Sequence, residues 1–169
     1  MPSQATLFGR YIPDLNNGKL EWIGLRPARR EPMQVVERAL AIEGLGLKGD
    51  RRCEASPGSA RQITLISKEH IEVIAQLLKR EEIDPALLRR NLVVSGINLN
   101  ALRHQRFRIG EAEFEATALC HPCVRMDHAL GKGGCAAMLG HGGLCAKILV
   151  GGNIKVGDEL VPLEREEDQ

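Results

Sequence analysis

The chain has 169 residues, enough for one domain that buries roughly two-thirds of its unfolded surface on folding. Its 23 Lys and Arg balance 22 Asp and Glu to a formal charge of +1, which removes the electrostatic case for a nucleic acid or a membrane surface as an obligatory partner. No window approaches the roughly 18 apolar residues that a membrane span needs, and the opening MPSQATLFGRYIPD lacks the tripartite pattern of a secretory leader. The expectation is a cytoplasmic protein whose five cysteines, Cys53, Cys120, Cys123, Cys135 and Cys145, stay reduced and serve chemistry, metal binding or plain burial.

Residues 1–24 read as an N-terminal extension packed on or joined to the main body. Arginines recur at Arg26, Arg29, Arg30, Arg51, Arg52, Arg61, Arg103, Arg106 and Arg108, either as solvated charges or as an anion-binding face. GLGLKGDRR, residues 44–52, is glycine-rich but matches neither the phosphate-loop pattern nor the dinucleotide fingerprint. RQITLIS predicts a strand with Ile63 and Leu65 on one side. SKEHIEVIAQLLKRE then predicts a helix capped by Ser67, with Ile71, Ile74, Ala75 and Leu78 on its apolar face. DPALLRRN predicts a second short helix that starts at Asp84 with Pro85 in its first turn. In NLVVSGINL the apolar run Leu92, Val93, Val94 is too continuous for a half-solvated strand.

The clearest period-two signal is QRFRIGEAEFEATAL. Phe107 and Ile109 alternate with arginines, and Ala112, Phe114, Ala116 and Ala118 with Glu and Thr across a Gly110-Glu111 turn, which predicts a hairpin. AKILVGGNIKVGDELVPL repeats the grammar, with expected turns at Gly151-Gly152-Asn153 and Gly157-Asp158. Residues 162–169 end in a charged tail with nothing to bury. Short strands punctuated by glycine predict a mostly β fold, a barrel or sandwich with one or two short peripheral helices.

Directly after the hairpin comes CHPCVRMD, with Cys120 and Cys123 three positions apart. That spacing admits a zinc site completed by His121, His128, Cys135, His141 or Cys145, though no second C-x-x-C or H-x-x-x-H is present. It also admits a redox dithiol, a thiolate ligand or sulfur-carrying nucleophile activated by Arg125, and two small buried hydrophobes. The stretch GKGGCAAMLGHGGLCAKILVGG offers backbone amides to an anion or forms a mobile surface loop.

GLGLKGDRR, RQITLISKEHIEVI, LLRRNLVVSGINLNAL, FRIGEAEFEATALCHPCVRMD and GGLCAKILVGGNIKVGDEL occur in an order that resembles the MOSC domain, the C-terminal module of molybdenum cofactor sulfurases and of free-standing bacterial proteins. The likeness covers residues 25–161 and implies a barrel-like β fold. It implies that Cys123 ligates molybdenum in a molybdenum-pterin cofactor or carries a persulfide. It further implies that Arg61, Arg90 and Arg125 contact phosphate or substrate, and that Asn91 hydrogen-bonds there. Gly49, Asp50, Arg51 and Gln62 match further motif positions, and Gly151, Gly152, Gly157 and Asp158 match the closing turns.

Cys53 stands where the family often has histidine, and His141 and Lys147 stand where arginines are common and are expected to meet the phosphate. The chain has no room for the pyridoxal-phosphate desulfurase domain of a full sulfurase, so no pyridoxal phosphate is expected in this domain. The resemblance therefore implies a small molybdoenzyme acting on N-hydroxylated or related nitrogen compounds, with electrons from an external reductase. Its alternatives are a carrier of cofactor or of persulfide sulfur from a cysteine desulfurase, and a non-catalytic structural or zinc-binding domain. Self-association through a strand edge is compatible with each of these.

Overall fold

The computed structural model of the protein describes residues 1–164. In chain order its strands are β1 (Gly18–Leu25), β2 (Gln34–Val36), β3 (Arg38–Ile42), β4 (Gly46–Leu47), β5 (Ile63–Ser67), β6 (Leu92–Ser95), β7 (Arg106–Ile109), β8 (Ala112–Leu119), β9 (Leu144–Val150), β10 (Gly152–Lys155) and β11 (Glu159–Leu163). Seven of them close a barrel in the order β1-β6-β5-β9-β8-β7-β11, and β11 returns to β1 through Gly18↔Leu160 and Lys19↔Glu159. Closure pairs both edges of every strand in the ring, which removes the exposed edges that invite aggregation. β2 lies outside the ring on β1. A second sheet, β10-β3-β4, lends Ala39, Ala41, Leu47 and Ile154 to the same barrel core.

Side-chain alternation explains the wall. In the predicted hairpin β7–β8, Phe107, Ile109, Ala112, Phe114 and Ala116 are buried, while Arg106 and Arg108 face solvent. Phe107 and Phe114 sit directly opposite each other and stack, with ring centroids 5.3 Å apart. β5 is buried along its whole length because both of its faces are covered. Ile63 and Leu65 enter the barrel core, and Ile66 enters a second cluster beneath the helices.

Four short α-helices decorate the barrel among the described residues: α1 (Gln4–Gly9), α2 (Lys68–Leu77), α3 (Arg125–Leu130) and α4 (Gly134–Met138). The Ser67 hydroxyl accepts from the His70 N–H at the start of α2, and Ile71, Ile74 and Ala75 are buried, as the sequence predicts. α2 joins β5 to β6, which makes these two the parallel pair in an otherwise antiparallel ring.

Three expectations change in detail. DPALLRRN is not an α-helix but a single 3-10 turn, Pro85–Leu88, capped by Asp84; Arg89 turns left-handed (φ 59) and stops it, so that the buried Arg90 and Asn91 lead straight into β6. Gly152 and Asn153 are not turn residues. They open β10, which pairs with β3 rather than folding back on β9, and Gly151 alone forms the corner. At the C-terminal end, β11 carries Pro162 and Leu163 into pairing with Phe107 and Arg106, and residues 165–169 of the expected charged tail lie outside the described residues.

One buried carboxylate fastens the wall together. The Asp50 oxygens accept from the backbone N–H of Arg26 (2.9 Å), the Arg26 Nε (3.2 Å) and Nη2 (3.0 Å), the backbone N–H of Arg52 (2.9 Å) and the Asn91 Nδ2 (2.9 Å). Asn91 also donates to the Gly24 carbonyl and accepts from the Thr64 N–H. The segments bordering β1, β4, β5 and β6 thus converge on one anion. Burial pushes the Asp50 carboxyl up, but the bonds from Arg26 and Arg52 outweigh it and hold the group below the ordinary carboxylate value.

Close backbone approach fixes a second joint. A Cβ at Gly143, whose φ is +91°, would fall 1.9 Å from the Leu65 carbonyl, and one at Gly142 would fall 2.2 Å from the Cys120 carbonyl. Gly143→Ala is therefore expected to cost more than about 3 kcal/mol in urea unfolding. Gly44→Ala, also at positive φ but with no atom within 4 Å, is expected to cost about 1 kcal/mol.

Asp50→Asn, which leaves Arg26 without its counter-ion, is expected to destabilise by about 3 kcal/mol. Because the folded Asp50 holds its proton more weakly than the unfolded one, its contribution is present above the ordinary value of 3.8 and disappears as pH falls through the lower folded value. The acid limb of an unfolding titration should be shallower in Asp50→Asn than in the wild type.

Candidate functional site

The site lies on the outer face of the barrel. Leu144 and Ala146 of β9 belong to the barrel core, so Cys145 between them points outward; across the β5–β9 pair it stands opposite Thr64. Farther along the same face, Ile66 and Val93 are covered by α2, α3 and α4. The remainder is polar, and is bordered by Asp50, Arg61, Thr64, Asn91, Cys120 and Cys145.

A strap crosses this face. After β8 the chain runs through Cys120 to Cys123 and enters α3 at Arg125. It is anchored by the Cys120 N–H, which donates to the Gly143 carbonyl at 2.8 Å, and by Arg90, which is 7% exposed. The Arg90 guanidinium donates to the carbonyls of Gly142 (2.9 Å), Leu88 (3.1 Å) and Cys120 (3.4 Å). Beyond the strap, the Met126 N–H closes a turn on the Cys123 carbonyl, and Asp127 Oδ1 accepts from the Cys135 N–H to tie α3 to α4. The result is an exposed, free Cys123 thiol on a fixed support.

Charge around the strap is positive. Arg89, half-buried, is held by the Glu31 and Ala28 carbonyls. Burial first, then the neighbouring Arg26, Arg51 and Arg125, push its pKa down, the signature of crowded cations. The Asp50 carboxylate, which counters this on Arg89, already accepts five hydrogen bonds. On the other flank the Arg61 Nε donates to the Cys145 sulfur at 3.2 Å and feels Cys120 and Cys123 as well.

The three thiols of the face differ sharply. Its interaction with Cys145, together with burial, pushes the Cys120 thiol well up. The same interaction, aided by Arg61 and Arg90, holds the Cys145 thiol down at about 6 against its burial. Cys123 is solvent-facing. Cys53, at the position where a family histidine is expected, donates its S–H to the Leu47 carbonyl at 2.9 Å, and burial and then Asp50 push its thiol up.

The residues singled out from the sequence are distributed as follows. Cys123, Arg125, Arg61 and Arg90 gather at the strap. Asn91 is buried at the Asp50 junction. His141 lies just before Gly142, its ring 5.2 Å from that of His70 on α2, and its Nδ1 has no hydrogen-bond partner among the described residues. Lys147 is separate: it pairs with Glu115 at 3.5 Å, which Arg106 also meets. No group of three or more His, Cys, Asp or Glu able to hold a metal forms among the described residues, so Cys120 and Cys123 find no partners for a zinc site of their own. Sequence reasoning matched Asp50 to a motif without a role, and gave Arg89 no role at all. The isolated acid in GDRR and the doubled arginine before Asn91 are the signals that point to them.

Among curated proteins no relative matches the sequence. Among solved structures, the fold is similar to the YUAD protein from Bacillus subtilis (21% identity, TM-score 0.73, 86% of this chain and 95% of that one). It is also similar to YiiM from Escherichia coli (19%, TM-score 0.67, 89% and 72%) and YiiM from Geobacillus stearothermophilus (15%, TM-score 0.71, 89% and 77%). The family model described as the MOSC domain matches residues 50–161, from the Asp50 anchor through the strap to β11. With the closed barrel in place and more than half of its length matched, the chain belongs to the MOSC domain family.

Proposed function

We propose that this MOSC protein holds a molybdenum-pterin cofactor with the Cys123 sulfur as protein ligand to the metal. It acts as a small cytoplasmic oxidoreductase on N-hydroxylated or related nitrogen compounds, with electrons from a separate reductase. The observation that carries the reading is the exposed Cys123 thiol on an anchored strap beside a crowded arginine face.

The residues present fit the group. A polarizable thiolate suits a soft or redox-active transition metal, and a pterin that brings its own sulfur ligands needs little more from the protein. Arg26, Arg51, Arg89 and Arg125 supply charge for a phosphate, which guanidinium groups recognise through paired N–H donors. The buried Arg52 Nε and the His141 Nδ1, each without a partner among the described residues, are further polar atoms suited to a bound heterocycle. When bound, the group supplies the oxygen-transfer and redox chemistry.

In this reading the chain's own residues do the rest. Arg90 holds the strap through three carbonyls and acts as a positioning residue. Asn91 sets the Asp50 junction from which Arg26 and the Arg51-Arg52 turn project. Arg61 and Arg125 flank the thiol with positive charge. His141 would offer its Nδ1 to the bound group. Lys147 contributes through the surface field alone, since Glu115 holds it.

A second reading, delivery of persulfide sulfur from a cysteine desulfurase, is favoured by one observation. Cys123 and its neighbour Val124 (67% exposed) stand open to a partner protein's thiol.

Metal analysis of anaerobically purified protein from a cofactor-producing host tests the first reading. Close to one molybdenum per chain is expected in the wild type, with a loss of about tenfold or more in Cys123→Ala. Molybdenum retained unchanged by Cys123→Ala, or absent from the wild type of a verified host, would sink the ligand assignment. Sulfane sulfur found on Cys123 after incubation with a desulfurase would move the assignment to the carrier.

A further inference from the structure

The two outward thiols behind the strap form a unit that the cofactor reading does not use. Cys145 stands opposite Ala118 across the β8–β9 ladder, and Cys120 lies two residues beyond Ala118 on the same side. The two are diagonal neighbours on one face of a sheet, within reach of a direct side-chain contact. The two thiols act on each other across that diagonal, which raises the Cys120 thiol and lowers the Cys145 thiol. The Arg61 Nε donates to the same sulfur from the other side at 3.2 Å. A sulfur flanked by a guanidinium and a second thiol is the arrangement in which one thiolate reacts and the other resolves.

We propose that Cys120 and Cys145 are a peroxide-oxidised dithiol, closing to a disulfide across the outer face of β8 and β9. In the first step the Cys145 thiolate attacks hydrogen peroxide; a sulfur–oxygen bond forms, the oxygen–oxygen bond breaks, and hydroxide leaves with the proton balance completed by solvent. Cys145 is then a sulfenic acid, oxidised by two electrons as the peroxide is reduced. In the second step the Cys120 sulfur attacks the Cys145 sulfur, the sulfur–oxygen bond breaks, and the Cys120 proton and the hydroxyl leave as water. The sum is two thiols and one peroxide giving one disulfide and two waters. An external dithiol reverses the bond by exchange.

Two features of the site favour this chemistry. The Cys145 thiol, held near 6, is largely ionised at neutral pH, whereas the Cys120 thiol keeps its proton for the second step. Both are almost enclosed, at 3% and 5% exposure, which admits a small oxidant and hinders bulky ones. The disulfide removes the anion that holds Arg61 and so frees its guanidinium beside Cys123. The step needs no cofactor at Cys123, so its failure and the failure of the cofactor reading are separable.

The test is stoichiometric hydrogen peroxide on the reduced, full-length apoprotein, followed by alkylation and tandem mass spectrometry of tryptic peptides. Residues 109–125 and 133–147 are expected to be joined through Cys120 and Cys145, and the link to disappear on treatment with dithiothreitol. Cys123→Ser is expected to leave it intact. The exposed Arg61 is the second handle, in case Cys145→Ala fails to fold: Arg61→Ala should slow cross-linking about tenfold. Recovery of both Cys120 and Cys145 as thiols while Cys123 alone is oxidised would overturn the proposal. So would a Cys145 sulfenic acid trapped without the link, or an Arg61→Ala rate equal to the wild type.

Discussion

The carboxylate of Asp50 is the constraint on which the polar half of this molecule depends. Five N–H donors from Arg26, Arg52 and Asn91 converge on its two oxygens inside the protein. A buried anion is tolerable only when its lone pairs are met, and here the donors come from segments far apart in the chain. Satisfying the anion therefore fixes where β1 ends, where the Arg51-Arg52 turn begins and how β6 enters the sheet. The arginine face is a consequence, because Arg51 and Arg89 stand on segments set by those contacts. Removing the negative charge would leave the cations repelling one another, whereas each charge-assisted bond now restrains a neighbouring backbone.

The barrel wall explains why a site forms on its outside. Ile63, Leu65, Leu92 and Val94 fill the interior, so Thr64, Ile66, Asn91 and Val93 must face outward. Helices α2, α3 and α4 cover Ile66 and Val93 with apolar side chains. Thr64 and Asn91 are too polar for such a lid and bond instead to each other, and Asn91 also donates to Asp50. The boundary between the apolar and polar halves is where the strap crosses. Gly142 and Gly143 permit that crossing, since a side chain on either would collide with the Cys120 or Leu65 carbonyl.

How much of this was legible in the sequence depends on the range of the interaction. The Phe107–Phe114 hairpin and the Ser67-capped helix are local patterns, and both stand in the structure as read. The helix expected at DPALLRRN satisfied local rules too, with Asp84 as cap and Pro85 in the first turn. It failed because Arg90 and Asn91 are both required in the interior immediately afterwards, a tertiary demand that no local window contains. The parallel β5–β6 pair was hidden for a related reason: a helix between two strands is compatible with an all-antiparallel meander until closure fixes the neighbours. At the site, Cys123 was visible through its family motif, but the placement of Cys120 beside Cys145 across the sheet was not. C-x-x-C spacing suggests the nearer partner; the β8–β9 register, with its irregularity between Ala116 and Ala118, selects the distant one.

That register gives Arg61 a choice of anions. Its Nε lies on Cys145, while Cys120 and Cys123 are near enough to raise its pKa further. A guanidinium cannot fully neutralise two thiolates in different directions, so charge on Cys145 competes with charge on Cys123 for the same cation. Arg90 does not enter this competition, because its bonds run to three carbonyls and it fixes the strap whatever the thiols carry. Arg125, exposed and only two residues from Cys123, is placed to serve the outer thiol alone. The division of labour follows from placement: the buried Arg90 holds backbone, the exposed Arg61 lies against Cys145 and balances two thiols, and the exposed Arg125 is available to whatever binds at Cys123.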